Sequence, residues 1–109
     1  MAAGSNLSRS FRSIFPRAIP FTGTVALTAA AAAETSDTVS VPGAAQGDCV
    51  LFGLVEDTED AVVTAHVNAA DLVEFTLVNA TGSTITIAAG TVVNGVVLKW
   101  DSEIGLLGE

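Results

Sequence analysis

A chain of 109 residues is long enough for one domain and too short for two. Half of it is apolar and only 6% aromatic, with Val, Ala and Thr prominent and no Tyr. That composition excludes a disordered chain and favours a small all-β domain whose β-branched side chains pack on a pleated surface. The formal charge of −8 is split. Arg9, Arg12 and Arg17 fall in a start without acids, whereas residues 18–109 set Lys99 against all twelve acids, a formal −11. A body this acidic does not neutralise phosphates, so nucleic acid is excluded as its partner.

Residues 1–20 are expected to form an extended basic N-terminal arm, rich in Ser, broken by Pro16 and Pro20, and carrying Phe11, Ile14 and Phe15. The following stretch, FTGTVALTAAAAAETSDTVSVPG at 21–43, has two readings. It offers a rough secretion signal ending in Ala31, Ala32 and Ala33, but the charged region before it is long and Thr22, Gly23, Thr24 and Thr28 dilute the apolar part. It also alternates: Phe21, Gly23, Val25 and Leu27 against Thr22, Thr24, Ala26 and Thr28, the period of a half-buried strand. The strand reading is preferred. The alanine run 29–33 connects to a second strand through Asp37, Val39 and Val41, which Pro42-Gly43 stops.

Cys49 to Leu54 is a nearly continuous apolar run, as expected of a strand covered on both faces. Glu56 to Asp60 is an acidic loop. Ala61 to Val67 alternates, with Val63, Ala65 and Val67 on one face and Val62, Thr64 and His66 on the other. Asn68 to Asp71 predicts a tight hairpin, and Leu72 to Asn79 returns with Val73, Phe75 and Leu77 inward. After a turn at 80–83, Ile85 and Ile87 mark a short strand, Ala89-Gly90 a break, and Thr91 to Trp100 a last strand. That strand is apolar on both faces, Val93 and Val97 against Val92, Val96, Leu98 and Trp100. Six or seven short strands predict a small antiparallel β-sandwich, or a barrel-like relative of one, over residues 21–100, followed by a C-terminal tail at 101–109. No run approaches the 18 apolar residues of a membrane-spanning helix, so no membrane partner is expected.

The residues that carry chemistry are sparse. Cys49 is the one cysteine, so no internal disulfide forms, and its apolar neighbours predict a buried thiol. His66 has no Ser or Cys companion at a catalytic spacing. Glu56, Asp57, Glu59 and Asp60 supply oxygens for calcium but lack the ligand order and Gly of an EF-hand, so a solvated loop is preferred. Asn6-Leu7-Ser8 and Asn79-Ala80-Thr81 match the glycosylation triplet, the second at an expected hairpin turn. The expectation is a non-enzymatic protein with no metal and no cofactor.

The turn signatures in order are Val41-Pro42-Gly43-Ala44, Gly47-Asp48, Thr64 to Val67, Ala69 to Asp71, Asn79 to Gly82 and Ala89 to Thr91. Over residues 36–100 this order resembles small β-rich structural proteins of tailed phages that decorate, or cement, the capsid. The resemblance implies a virion protein on the capsid exterior that strengthens the shell, partnered by the major capsid protein and assembled as a homotrimer. The arm lies outside the shared pattern. Its charge and apolar side chains mark Arg9, Phe11, Arg12, Ile14, Phe15, Arg17 and Phe21 as a latch for an acidic, partly apolar seam between capsid subunits. Val92, Val96, Leu98 and Trp100 are the expected oligomer interface. Two alternatives stand beside this: a secreted or surface-attached adhesin-like module with a cleaved signal, and a phage tail or fibre component.

Overall fold

The computed structural model describes residues 17–100. Six strands follow in chain order: β1 (Arg17–Ala29), β2 (Ala33–Ser40), β3 (Cys49–Leu54), β4 (Val62–Ala69), β5 (Leu72–Asn79) and β6 (Ile85–Lys99). They form two antiparallel three-stranded sheets, a front sheet ordered β1-β6-β3 and a back sheet ordered β2-β5-β4. The fold is therefore the small β-sandwich that the alternation predicts. Only β4 and β5 pair as consecutive strands; every other connection crosses between the sheets.

The stretch with two readings forms β1, a turn at 30–32, and β2. Val25, Leu27 and Ala29 of β1 are core residues, so cleavage before Glu34 would remove one edge of the front sheet and three side chains of the core. The strand begins at Arg17, inside the expected arm. Ile19 and Phe21 pack against the core because they share the inward parity of Val25.

Phe75 lies at the centre of the sandwich with no exposed surface. Its ring meets Phe52 edge-on at 5.1 Å between centroids and Phe21 at 6.3 Å, tilted by 55°. Phe21, Gly95 and Phe52 stand side by side across β1, β6 and β3. Gly95 leaves the room for this arrangement. A Cβ there would sit 2.5 Å from Phe21 Cζ and 2.7 Å from the Leu51 carbonyl oxygen. Phe21 is thus a packing residue of the front sheet, which corrects its expected place in the latch.

Three further expectations are corrected. Cys49–Leu54 is an edge strand, with Val50, Phe52 and Leu54 against the core and Leu51 and Gly53 exposed. A run of apolar residues does not distinguish a covered strand from an edge strand with an apolar outer face. Cys49 is accordingly half-buried on that outer face and outside the core cluster. Ile85 to Lys99 is one strand, because Ala89-Gly90 bulges without breaking it. Val25 pairs with Thr91 and Leu27 with Ile87, so residues 88–90 oppose Ala26 alone. Gly90 takes φ of +87° here, a conformation side chains disfavour.

Replacing Gly95 by Ala is expected to cost about 1–3 kcal/mol, since the Phe21 ring must leave its place on Phe75. Urea unfolding measures this, and an unchanged midpoint would contradict the packing.

Candidate functional site

The two sheets of the sandwich differ in the chemistry of their outer faces. In the front sheet, even-numbered residues of β1 and β6 and odd-numbered residues of β3 point away from the core. The register sets them in rows: Ala18, Leu98 and Cys49; Pro20, Val96 and Leu51; Thr22, Asn94 and Gly53. Val92 and Val55 continue the face, joined by a hydrogen bond from the Val55 N–H to the Val92 oxygen at 3.0 Å. No Asp, Glu, Lys, Arg or His stands in these rows, although the chain carries a formal −8. Leu51 is 53% exposed, Val55 67% and Trp100 54%.

The back sheet differs. Its outer rows are Glu34, Val78 and Val62; Ser36, Thr76 and Thr64; Thr38, Glu74 and His66. Val62 and Val78 are the apolar spot of these rows, whose other members carry hydroxyls or charge; a fourth row, Ser40, Leu72 and Ala69, adds a half-buried Leu. His66 Nε2 lies 3.4 Å from Glu74 Oε1 across the strands and is mostly exposed. That is a surface pair, which contributes little to stability.

Of the expected interface residues, Val92 and Trp100 are exposed and Val96 is half-buried on the front face, whereas Leu98 is buried and does not present itself. The Trp100 indole N–H donates to the Gly47 oxygen at 2.7 Å. Arg17 is exposed at the start of β1, opposite Lys99. Arg9, Phe11, Arg12, Ile14 and Phe15 lie outside the described residues.

The polar residues that drew attention in the sequence are spent on the fold. Lys99 Nζ pairs with Asp48 Oδ2 at 2.6 Å and donates to the Gly43 oxygen at 3.0 Å. Both side chains are largely buried, so the cation is neutralised in place. Asp48 also accepts from the Ala45 N–H at 2.9 Å. Asp71 sits at φ of +65°, which Asp tolerates, in the β4–β5 turn. Its carboxylate accepts from the Gly43 N–H, its N–H donates to the Ala44 oxygen, and its carbonyl accepts from the Val41 N–H. Together these contacts fasten the 41–48 loop to the end of β6 and to the β4–β5 hairpin.

At the other end, Asn79 is buried within the triplet that matches the glycosylation signal. Its amide donates to the oxygens of Ala29, Ala30 and Ser83 at 2.8–3.1 Å, and its oxygen accepts from the Thr81 N–H and hydroxyl. The side chain is consumed in joining the β1–β2 and β5–β6 turns and is not open to a sugar. The bulge is closed in the same manner. Ala26 N–H donates to Asp37 Oδ2, Ala88 N–H to Glu56 Oε2, and the Thr91 hydroxyl to the Ala88 oxygen. Asp57 accepts from the Glu59 N–H within the acidic loop. Two of the four carboxylates considered for calcium thus bind backbone amides. Among the described residues no group of three His, Cys, Asp or Glu is placed to hold a metal.

No protein family, curated protein or solved structure matches the chain. The signatures that carry the resemblance stated above therefore rest on their own chemistry. Val41-Pro42-Gly43-Ala44, Asp48, Asp71, Asn79 and Thr91 are the joints of the sandwich, and they specify a fold. What sequence reasoning missed is the neutral front face as a whole. The signal was present in the odd positions of Cys49–Val55 and the even positions of β1, but only the register between strands assembles it.

Asn79→Ala is expected to lose about 1–3 kcal/mol through unpaired carbonyls at that end of the sandwich. Chemical denaturation measures the loss; wild-type stability would show that the network is dispensable.

Proposed function

We propose that this protein is a structural component of a phage virion that decorates the capsid exterior and stiffens the shell. The carrying observation is the contrast between the outer faces: an uncharged, largely apolar front sheet and a hydroxyl-rich, charged back sheet. A body of formal −11 stays soluble and avoids released nucleic acid, and its neutral face is where a larger protein surface can lie without burying carboxylates. Exposed contiguous apolar surface on a small domain marks an interaction site. The resemblance of the turn signatures to capsid decoration proteins names the partner, the major capsid protein. The basic arm supplies a second, chemically different contact, suited to an acidic, partly apolar seam.

β1 begins at Arg17. A truncation through residue 20 would cut into β1, so the informative deletion removes residues 1–16. Sedimentation with purified capsids is expected to show that this truncated protein, folded by circular dichroism, no longer binds, and that Val96→Glu on the front face weakens binding of the full chain. Normal occupancy by both variants would sink the reading.

A further inference from the structure

Four strands lie at sheet edges, and three of them are guarded. β1 carries Pro20, and opposite the β6 bulge its Ala26 N–H is capped by Asp37. β2 carries Glu34 and Asp37. β4 carries His66 and a bulge between Val67 and Ala69. Prolines, charges and bulges of this kind are how edges resist pairing with another chain. β3 has none of them. Its sequence is Cys-Val-Leu-Phe-Gly-Leu, in unbroken register with β6.

The bond from the Val55 N–H to the Val92 oxygen fixes which backbone groups face outward. In an antiparallel ladder, N–H and C=O of one residue point to the same side and alternate along the strand. Residues 49, 51, 53 and 55 therefore face β6, and the N–H and C=O groups of Val50, Phe52 and Leu54 face away from the sheet. Among the described residues no backbone hydrogen bond reaches them from that side.

We propose that β3 pairs antiparallel with β3 of a second copy about a two-fold axis at Phe52. This register uses every outward group: Val50 with the second copy's Leu54, Phe52 with the second copy's Phe52, and Leu54 with the second copy's Val50. Pleat parity is kept, so the outer positions also meet. Leu51, 53% exposed, lies opposite the second copy's Gly53, where the space above the backbone is open. Val55 lies opposite the second copy's Cys49. The strand is thus complementary to itself, as a two-fold interface requires.

Charge does not bar this occupant at β3. Two bodies of formal −8 repel, and they approach closely only through an edge that has no ionised group. β3 itself meets that condition; of the acids at its ends, which the register sets opposite one another, Asp48 is neutralised by Lys99 and Glu56 is turned back to accept from the Ala88 N–H. The result is a six-stranded front sheet, β1-β6-β3-β3-β6-β1, with one continuous neutral face. Its symmetry is two-fold, unlike the trimer that the resemblance implies. One strand pair buries less than a standard interface, so the dimer is weak and concentration-dependent. The inference goes beyond the capsid reading and does not rest on it.

Sedimentation equilibrium of the full chain, up to millimolar concentration, tests it without any capsid. The native protein is expected to show a monomer–dimer equilibrium, and Gly53→Lys to weaken it at least about tenfold. Gly53→Lys should unfold at the native temperature, since a Cβ at Gly53 meets nothing within 4 Å. In a Cys49→Ser background, chains with Leu51→Cys mixed with chains with Gly53→Cys should oxidise to the mixed disulfide dimer in preference to either homodimer. A native chain that stays monomeric, a dimer indifferent to Gly53→Lys, or no preference for the mixed disulfide would each overturn the proposal.

Discussion

The sandwich depends on Phe75 being clasped between Phe21 and Phe52. A chain with only 6% aromatic residues has few side chains large enough to fill the space between two sheets. Three of its five Phe are gathered at one point, the central strand of the back sheet reaching up between the two edge strands of the front sheet. Full burial of one such ring contributes roughly 1.5–3 kcal/mol, and each tilted or edge-on pair about 0.5–1.5 kcal/mol beyond it. Those are large sums for a domain whose total stability is about 5–15 kcal/mol. Gly95 is the complement of this cluster, because the middle strand of the front sheet must have no side chain where Phe21 crosses it. Everything outside the cluster is smaller: Val, Ile, Leu and Ala filling the layers on either side.

With a core so dependent on small residues, the ends are closed by polar joints. Asp71 and the Lys99–Asp48 pair hold the 41–48 loop, and Asn79 holds the two turns at the opposite end. Carboxylates from Asp37 and Glu56 close the bulge between them. Each satisfies a backbone group that a loop or bulge would otherwise leave unpaired, and buried unpaired groups are costly. Residues with chemical reputations are thereby engaged in the fold: an Asn in a glycosylation triplet, Glu56 and Asp57 of the acidic run, and the single Lys. What they leave uncovered is a neutral face and an edge without charge, proline or bulge.

Much of this was legible along the chain. Leu72 to Asn79 alternates without exception, and Val73, Phe75 and Leu77 are inward as their period requires. The two-sided apolar character of β6 does place Val92 and Val96 opposite Val93 and Val97. The failures share one cause: periodicity reports the parity of a residue and not its neighbours across the sheet. Phe21 read as the end of an arm because Pro20 precedes it, yet its parity continues that of Val25. Cys49–Leu54 read as a covered strand because its outer face is also apolar. Ala89-Gly90 read as a break because a glycine between apolar residues looks alike in a turn and in a bulge. For the candidate site, the basic start stood out by charge alone, whereas the neutral face needed three strands in register before it existed as a surface.

On the proposed capsid role, the front sheet is the attached face and the back sheet the solvent face. The most direct measurement is cryo-electron microscopy of purified particles from the source, at a resolution that separates strands. The account predicts many copies on an icosahedral shell, with Leu51, Val92, Val96 and Trp100 toward the capsid and Ser36, Thr64, Thr76 and His66 toward solvent. Particles without the chain, or copies bound with the hydroxyl-rich face against the shell, would contradict it.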